Sequence, residues 1–499
     1  MSLRGKNLAW QQESSPQMNK KYLLIASVCV LCGLLFLDID NPPAYVRLHA
    51  FNRFDTAAPL AVRPKDHKGR NVISTSGVIT FTSGLDNDYY QSDSNNKTVY
   101  FYIEAKLAKL LNLPQKRTPL NISIVIDRSG SMQGVKMGYA KKAAKGMIDQ
   151  LEATDYVSIV MYDNAIDSVQ EPIAVTNKDL IKSKIDKITA RGSTNLWGGT
   201  ERGYEYVLKN YKPGFINRVL LISDGLANIG ITDSSVIRKK VLAFKDEQGI
   251  TLSTFGVGLD YNETLMTDMA ETGAGNYYFI DAPDQMIGMF EKEFNSMLKV
   301  VAQNAELRIK LPKGVKVDKT YPLPYVQAGD VVTIRLRDVF AEETKSTLLR
   351  LKLQDRINGP LRFSATLSYT DALDGQQKSV TNENLLSPVK SADSYLTHFN
   401  KTVIEEVVLF AANENLEDAI TMVDNRNFVG AKRSVDANKA FLKANNDYVK
   451  DYRSLQVMDS INTNYGNLSS KAMTISSDSL KKVQKYTRAL NYKLRNKKM

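Results

Sequence analysis

Between residues 121 and about 301, short apolar runs alternate with stretches of helical periodicity, and few folds accept that pattern. The runs are 122–126, 156–162, 168–175, 218–223, 251–257 and 277–280. Helical patterns fill 136–151, 177–188, 196–209, 234–244 and 262–271, and a last one, opening with Pro283, reaches about residue 298. Four of the runs are near-continuously apolar, as strands buried on both faces are. Strands alternating with helices predict a doubly wound, mostly parallel six-stranded sheet covered on both sides.

The flanks read differently. Residues 77–82 and 98–103 are rich in β-branched and aromatic side chains, and 307–311, 331–336, 347–353 and 361–369 alternate apolar with polar. These two strand-rich segments predict one antiparallel β-sandwich in which the α/β domain is inserted, or which flanks it. From residue 394 onward apolar residues recur every three to four positions, which predicts antiparallel helical hairpins. At 499 residues the chain exceeds what one core supports. The expected division is 1–21, 22–37 (an apolar segment), 38–71 (a Pro-bearing linker), 72–118 and 302–390 (the two parts of the β-domain), 119–301 (α/β), and 391–499 (helical). The last helix carries Lys481, Lys482, Lys485, Arg488, Lys493, Arg495, Lys497 and Lys498, and reads as a solvated basic face.

Residues 22–37 are apolar throughout, preceded by Lys20-Lys21 and followed by Asp38 and Asp40. The positive-inside rule keeps the N-terminus in the cytoplasm and exports the chain beyond Asp38. Sixteen helical residues cover about 24 Å, a little short of the roughly 30 Å hydrocarbon core, so a signal anchor and a cleaved signal peptide both fit. Met18-Asn19-Lys20-Lys21 also suits a signal start, leaving Met1 and Met18 as alternative first residues. The expectation is a cell-envelope protein, membrane-anchored or secreted.

Cys29 and Cys32, the chain's two cysteines, both lie inside that apolar run, so no disulfide framework or thiol catalyst exists elsewhere. Histidines are three, His49, His67 and His398, a scarcity that argues against zinc sites and serine- or cysteine-hydrolase chemistry. The formal charge of +12 comes with no nucleic-acid-binding motif, and no nucleic acid partner is expected. His-Glu-x-x-His and the P-loop are missing, and the chain reads as a non-enzyme.

Three separated stretches supply oxygen donors. Asp127-Arg128-Ser129-Gly130-Ser131 follows the apolar strand 122–126, Thr194 sits in a Gly-Ser-Thr-Asn loop, and Asp224 ends the strand 219–223. Open parallel sheets place ligand crevices at the carboxyl ends of their strands. Alternate side chains of Asp-x-Ser-x-Ser converge on one point, so Asp127, Ser129, Ser131, Thr194 and Asp224 form a candidate site of two carboxylates and three hydroxyls. An all-oxygen, hard donor set suits Mg²⁺, with Ca²⁺ or Mn²⁺ as competitors.

These stretches, in this order, resemble the metal-ion-dependent adhesion site of von Willebrand factor type A domains. The phrase Val125-Ile126-Asp127-Arg128-Ser129-Gly130-Ser131-Met132 is most similar to the bacterial and inter-alpha-trypsin-inhibitor heavy-chain branch. The resemblance implies a metal held by the serines, threonine and aspartates, whose open position takes an Asp or Glu from a protein partner. It also implies that the last helix, 283–298, is the element able to respond to occupancy. The partners expected are therefore an acidic protein ligand and, through residues 22–37, a membrane. A second reading keeps the same metal as a structural clip in a scaffold or assembly subunit of an envelope complex. Trp197 is expected to pack beneath the Thr194 loop, and Tyr162, Asp163 and Asn164 to line the same rim.

Overall fold

The computed structural model describes residues 65–91, 98–107, 117–354, 357–372, 374–469 and 474–498. The apolar run 22–37, both cysteines, His49 and most of the linker lie outside the described residues, as does any choice between anchor and cleaved signal. No helix among the described residues is long and apolar enough to cross a membrane.

In chain order the described part opens with β1 (Val72–Ser76), β2 (Ile79–Leu85), β3 (Tyr89–Gln91) and β4 (Thr98–Leu107). An α/β unit comes next: β5 (Leu120–Asp127), α1 (Val135–Gln150), β6 (Tyr156–Tyr162), β7 (Ile166–Ala174), α2 (Lys178–Asp186), α3 (Leu196–Lys209), β8 (Ile216–Ser223), α4 (Ser234–Gln248), β9 (Thr251–Val257), α5 (Glu263–Thr272), β10 (Ala274–Ile280) and α6 (Gln285–Met297). Then come β11 (Val300–Lys310), β12 (Val315–Tyr321), β13 (Val326–Ala328), β14 (Val331–Phe340), β15 (Thr344–Leu353), β16 (Leu361–Asp371) and β17 (Gln377–Val389). The chain ends in α7 (Ala392–Thr397), α8 (Lys401–Asp424), α9 (Phe428–Ala444), α10 (Asn446–Asp451), α11 (Arg453–Ser469) and α12 (Ser477–Arg495).

The central sheet has the order β10-β9-β8-β5-β6-β7, parallel except for β7, which pairs antiparallel with β6. β5 and β8 are buried at every position, which is why their sequences read as unbroken apolar runs. Apolar side chains of β5 point alternately into two cores. Ile122, Ile124 and Ile126 join Met137 and Ile148 of α1, Ile181 of α2 and Phe290 of α6. Val125 lies on the opposite face with Trp197 of α3, Ile237 of α4 and Met266 of α5. Each fully buried Ile of this set contributes about 1.5–3 kcal/mol relative to exposure. The winding reverses between β5 and β8, so the crevice of this sheet lies at their carboxyl ends, where Asp127 and Asp224 sit.

The β-segments on either side of the α/β unit make one sandwich. β4 pairs antiparallel with β15 from Thr98↔Lys352 to Lys106↔Thr344, completing a five-stranded sheet β1-β2-β4-β15-β12. The facing sheet is β13-β14-β11-β16-β17-β3, and side chains of both sheets share one core, among them Phe81, Phe101, Leu307, Leu351 and Phe363. The α/β unit is thus inserted into the sandwich. β11 joins the two: Val300 belongs to the α/β core and Val301 and Leu307 to the sandwich core.

The helical region builds its core around α8, buried on most sides, with Leu409, Leu416, Val435 and Leu455 among the packed residues. α12 lies between α8 and the α/β unit. Of its basic residues only Lys481, Lys482 and Lys493 keep the solvated face expected from sequence. Lys485 and Arg488 are buried, Lys498 is half-buried, and Arg495 pairs with Glu271 at 2.7 Å. Arg488 reaches Glu417 at 2.9 Å and Asp424, and Lys497 reaches Glu406. The acidic partners come from elements far away in sequence, so charge counting along one helix does not reveal them. α12 also closes the free edge of the central sheet: the Tyr277 amide donates to the Tyr492 hydroxyl at 3.1 Å, and the Lys498 ammonium donates to the Gly275 carbonyl at 3.2 Å.

Candidate functional site

Four loops are stitched together at the carboxyl ends of β5, β6 and β8. The Arg128 amide donates to the Tyr162 carbonyl at 2.9 Å, and the Gly130 amide to the Gly192 carbonyl at 3.0 Å. The Asn195 amide donates to the Asp163 carbonyl at 3.0 Å, and the Ser193 amide to the Asn164 side chain at 2.7 Å. Asn228, from the loop after β8, closes the ring: its side chain accepts from the Thr194 amide at 2.9 Å, and its own amide donates to the Thr194 carbonyl at 3.1 Å. Tyr162, Asp163 and Asn164 therefore hold the loops in place. Beneath them Trp197 is 1% exposed and packs in the α3 core.

This scaffold brings all five sequence-predicted side chains together. The Ser129 and Ser131 hydroxyls are 3.1 Å apart, and Ser131 Oγ donates to Asp224 Oδ1 at 2.7 Å. Asp127 Oδ1 accepts the Ser129 amide at 2.8 Å, and its Oδ2 accepts the Ser223 hydroxyl at 2.7 Å. Thr194 approaches from the side: a Cβ placed on Gly225 would lie 2.9 Å from Thr194 Oγ1 and 3.7 Å from Asp127 Oδ2. Glycine at 225 thus keeps open the space on which the threonine hydroxyl and the Asp127 carboxylate converge.

Asp127 and Asp224 are fully buried, while Ser131 is exposed and faces solvent. Burial pushes the Asp127 carboxyl above its ordinary value, against the hydrogen bonds from Ser223 and Ser129, and the Asp224 charge adds to the rise. The Tyr162 hydroxyl is buried beside these carboxylates, and burial together with their charge pushes its pKa well up. Two neighbouring buried carboxylates ringed by hydroxyls make an environment that a cation relieves. Among the described residues no group of three or more His, Cys, Asp or Glu gathers in metal-binding geometry, so the oxygen count here depends on the hydroxyls. That donor set fits a hard divalent ion of the Mg²⁺ type.

Several participants were not singled out from sequence. Ser223 orients Asp127, Asn195 caps α3 by accepting the Gly198 amide at 3.0 Å, and Arg128 is buried in an ion pair with Asp163 at 3.1 Å. Lys136, in the first turn of α1, donates to Asp224 Oδ2 at 2.5 Å. Ser223 and Arg128 sit beside predicted ligands, and adjacency was the available signal. Lys136 carried none, because its role depends on the return of α1 over the rim.

A doubly wound sheet with an oxygen-lined rim at its switch point is the arrangement of open α/β domains, whose crevice lies at the carboxyl ends of the strands. Residues 121–292 match the family model of the von Willebrand factor type A domain, and this part of the chain is such a domain. The uncharacterized protein YfbK of Escherichia coli is 35% identical over 192 residues, 38% of this chain and 33% of that protein. The uncharacterized protein sll0103 of Synechocystis is 27% identical over 272 residues, 52% of this chain and 64% of that protein. Inter-alpha-trypsin inhibitor heavy chain H1 of Sus scrofa is 29% identical over 219 residues, 42% of this chain and 23% of that protein. In each case the match spans less than two thirds of the relative's own length. Among solved structures, a von Willebrand factor type A protein from Catenulispora acidiphila superposes with a TM-score of 0.62 at 14% identity, covering 78% of this chain and 91% of that one. The ArnB paralog VWA2 from Sulfolobus acidocaldarius gives 0.56 at 17% identity, covering 83% and 98%. The likeness to these two structures extends beyond the α/β unit and concerns fold alone.

Proposed function

We propose that this chain is a binding protein whose type A domain holds a divalent cation, Mg²⁺ or else Mn²⁺ or Ca²⁺, and uses it to capture an Asp or Glu side chain of a protein partner. The observation that carries this reading is the convergence of Asp127, Ser129, Ser131, Thr194 and Asp224 at one rim, with only two carboxylates among five donors. A hard cation bound there supplies a positive centre with room for an external oxygen ligand. The two aspartates balance its formal charge and the three hydroxyls add none, so an incoming carboxylate meets little repulsion from the chain. Ser131 faces solvent, which leaves the approach open, while the stitched loops keep the donors from rearranging. Residues 22–37 would hold this surface at the cell envelope.

Among the described residues the rim is made of hydroxyls, two hydrogen-bonded aspartates and Lys136, a set that suits capture better than hydrolysis. The test is a pull-down with the full-length chain in Mg²⁺ and in chelator, repeated with Asp127→Ala. Partners retained only by the wild type in Mg²⁺ support the proposal. Equal retention in chelator, or by the variant, would overturn it.

A further inference from the structure

Lys136 stands apart from the rest of the rim in its chemistry. It occupies the first turn of α1, where the helix dipole disfavours a positive charge. No side chain caps that helix, and its first turn contains no acidic residue to offset the lysine. The compensation comes from across the crevice: Lys136 Nζ donates to Oδ2 of Asp224, a fully buried carboxylate, while Lys136 itself is 27% exposed. Asp224 Oδ1 is taken by the Ser131 hydroxyl at 2.7 Å.

These two partners of Asp224 behave differently toward an incoming cation. A hydroxyl that donates its proton to a carboxylate still has lone pairs to offer a metal, so the Ser131–Asp224 bond and a bound ion are compatible. An ammonium has three donors, a full charge and no lone pair. It cannot share the carboxylate with a dication without strong repulsion. Lys136, on Oδ2, is therefore the member of the cluster that opposes the ion.

It also has somewhere to go. A Cβ on Gly258, in the loop after β9, would lie 3.4 Å from Lys136 Nζ and 3.5 Å from its Cε, so glycine there leaves the lysine a path along the loop. Asp260, two residues on, already lies within reach of the Lys136 charge. Its side chain is 67% exposed and is bonded to Lys481 of α12 at 2.8 Å.

We propose that Lys136 is an internal competitor for the divalent ion: it neutralises Asp224, yields that carboxylate to the metal, and swings toward Asp260. This rests on the metal-binding reading above and adds to it a residue that sets affinity. The exchange makes metal uptake weaker than the donor set alone would give, and it places a mobile positive charge at the edge of the surface a partner's carboxylate approaches.

The experiment is a Mn²⁺ titration of the full-length chain, followed by the electron paramagnetic resonance signal of free Mn²⁺. Lys136→Met removes the charge and keeps the length, Lys136→Arg keeps the charge, and Lys142→Met on the same helix is the control. Lys136→Met is expected to bind Mn²⁺ about tenfold more tightly than wild type or more, with the arginine and control variants within about twofold of wild type on that scale. A second measurement needs no variant: acetylation of Lys136 by an amine-reactive reagent, read by mass spectrometry, is expected to rise several-fold when Mg²⁺ is added. Equal or weaker Mn²⁺ binding by Lys136→Met, or acetylation indifferent to Mg²⁺, overturns the competitor role while leaving the metal site standing. Failure of every variant and of the wild type to bind Mn²⁺ overturns the metal reading and this inference with it.

Discussion

Two buried carboxylates in the same domain meet opposite fates. Glu293, on α6, is fully buried and fully served: Arg218 pairs with it at 2.7 Å, and Ser253, Asn276 and Tyr278 donate at 2.6, 2.8 and 2.9 Å. Burial acts to raise its pKa, yet the Arg218 charge and these donors win and hold it below the ordinary glutamate value. Asp127 is equally buried, but its neighbours are hydroxyls, one amide and a second carboxylate, and burial wins. The domain thus ties one acid down with a resident cation and keeps the other short of positive charge. The first builds stability; the second is suited to drawing in a cation from outside.

The sharpest way to break this contrast is at the satisfied end. Glu293→Ala strands Arg218, itself 0% exposed, without its partner. Its expected cost is about 3–5 kcal/mol in chemical denaturation; a loss below about 1 kcal/mol would mean the pair is not a clamp. At the other end, Mg²⁺ at a hundred times its Kd is expected to stabilise the wild-type chain by about 2.7 kcal/mol. Asp127→Ala and Asp224→Ala should fold as well as wild type in chelator and gain nothing from the ion. Thermal unfolding with and without Mg²⁺ decides it.

Acid sharpens the contrast further. Because the Glu293 pKa is depressed in the folded chain, the stability it lends is fully present above the ordinary value of 4.5 and drains away as pH falls below it. Denaturant midpoints measured downward from pH 5 should therefore converge for wild type and Glu293→Gln. The smallest effect is expected at the sheet edge, where Tyr492→Phe removes the hydroxyl that accepts the Tyr277 amide, for about 1 kcal/mol.

The tether on Glu293 bears on the last helix of the domain. The expectation that α6 answers to the metal meets four donors that bind its middle to β8, β9 and β10. Movement of α6 requires breaking that cluster.

Legibility in the sequence tracked local chemistry. β5 and β8 announced themselves because burial on both faces leaves a nearly unbroken apolar run in each, and the five site residues fell at strand ends and one loop. β12 and β17 were harder. Lys319, following Asp318 at a register shift, breaks the alternation of one, and Asn382 and Asn384 of the other point inward, where their side-chain amides donate to β2 carbonyls and Asn384 accepts from Ser83 rather than from any neighbour in sequence. The pairing of α12 with its surroundings was illegible for the same reason. Glu417 lies 71 residues from Arg488, and Glu271 lies 224 residues from Arg495.

The closure of β10 by Tyr492 and Lys498 has a practical side. Cut from the chain at its sequence borders, the type A domain would lose its cover and present Tyr277 and Gly275 as an open strand edge, ready to pair with another copy. A fragment of residues 119–301 should then self-associate in sedimentation runs at concentrations where the full-length chain stays dispersed. Binding data collected on such a fragment would mix ligand capture at the rim with stickiness at the far edge. The unit to express is the one that retains its last helix.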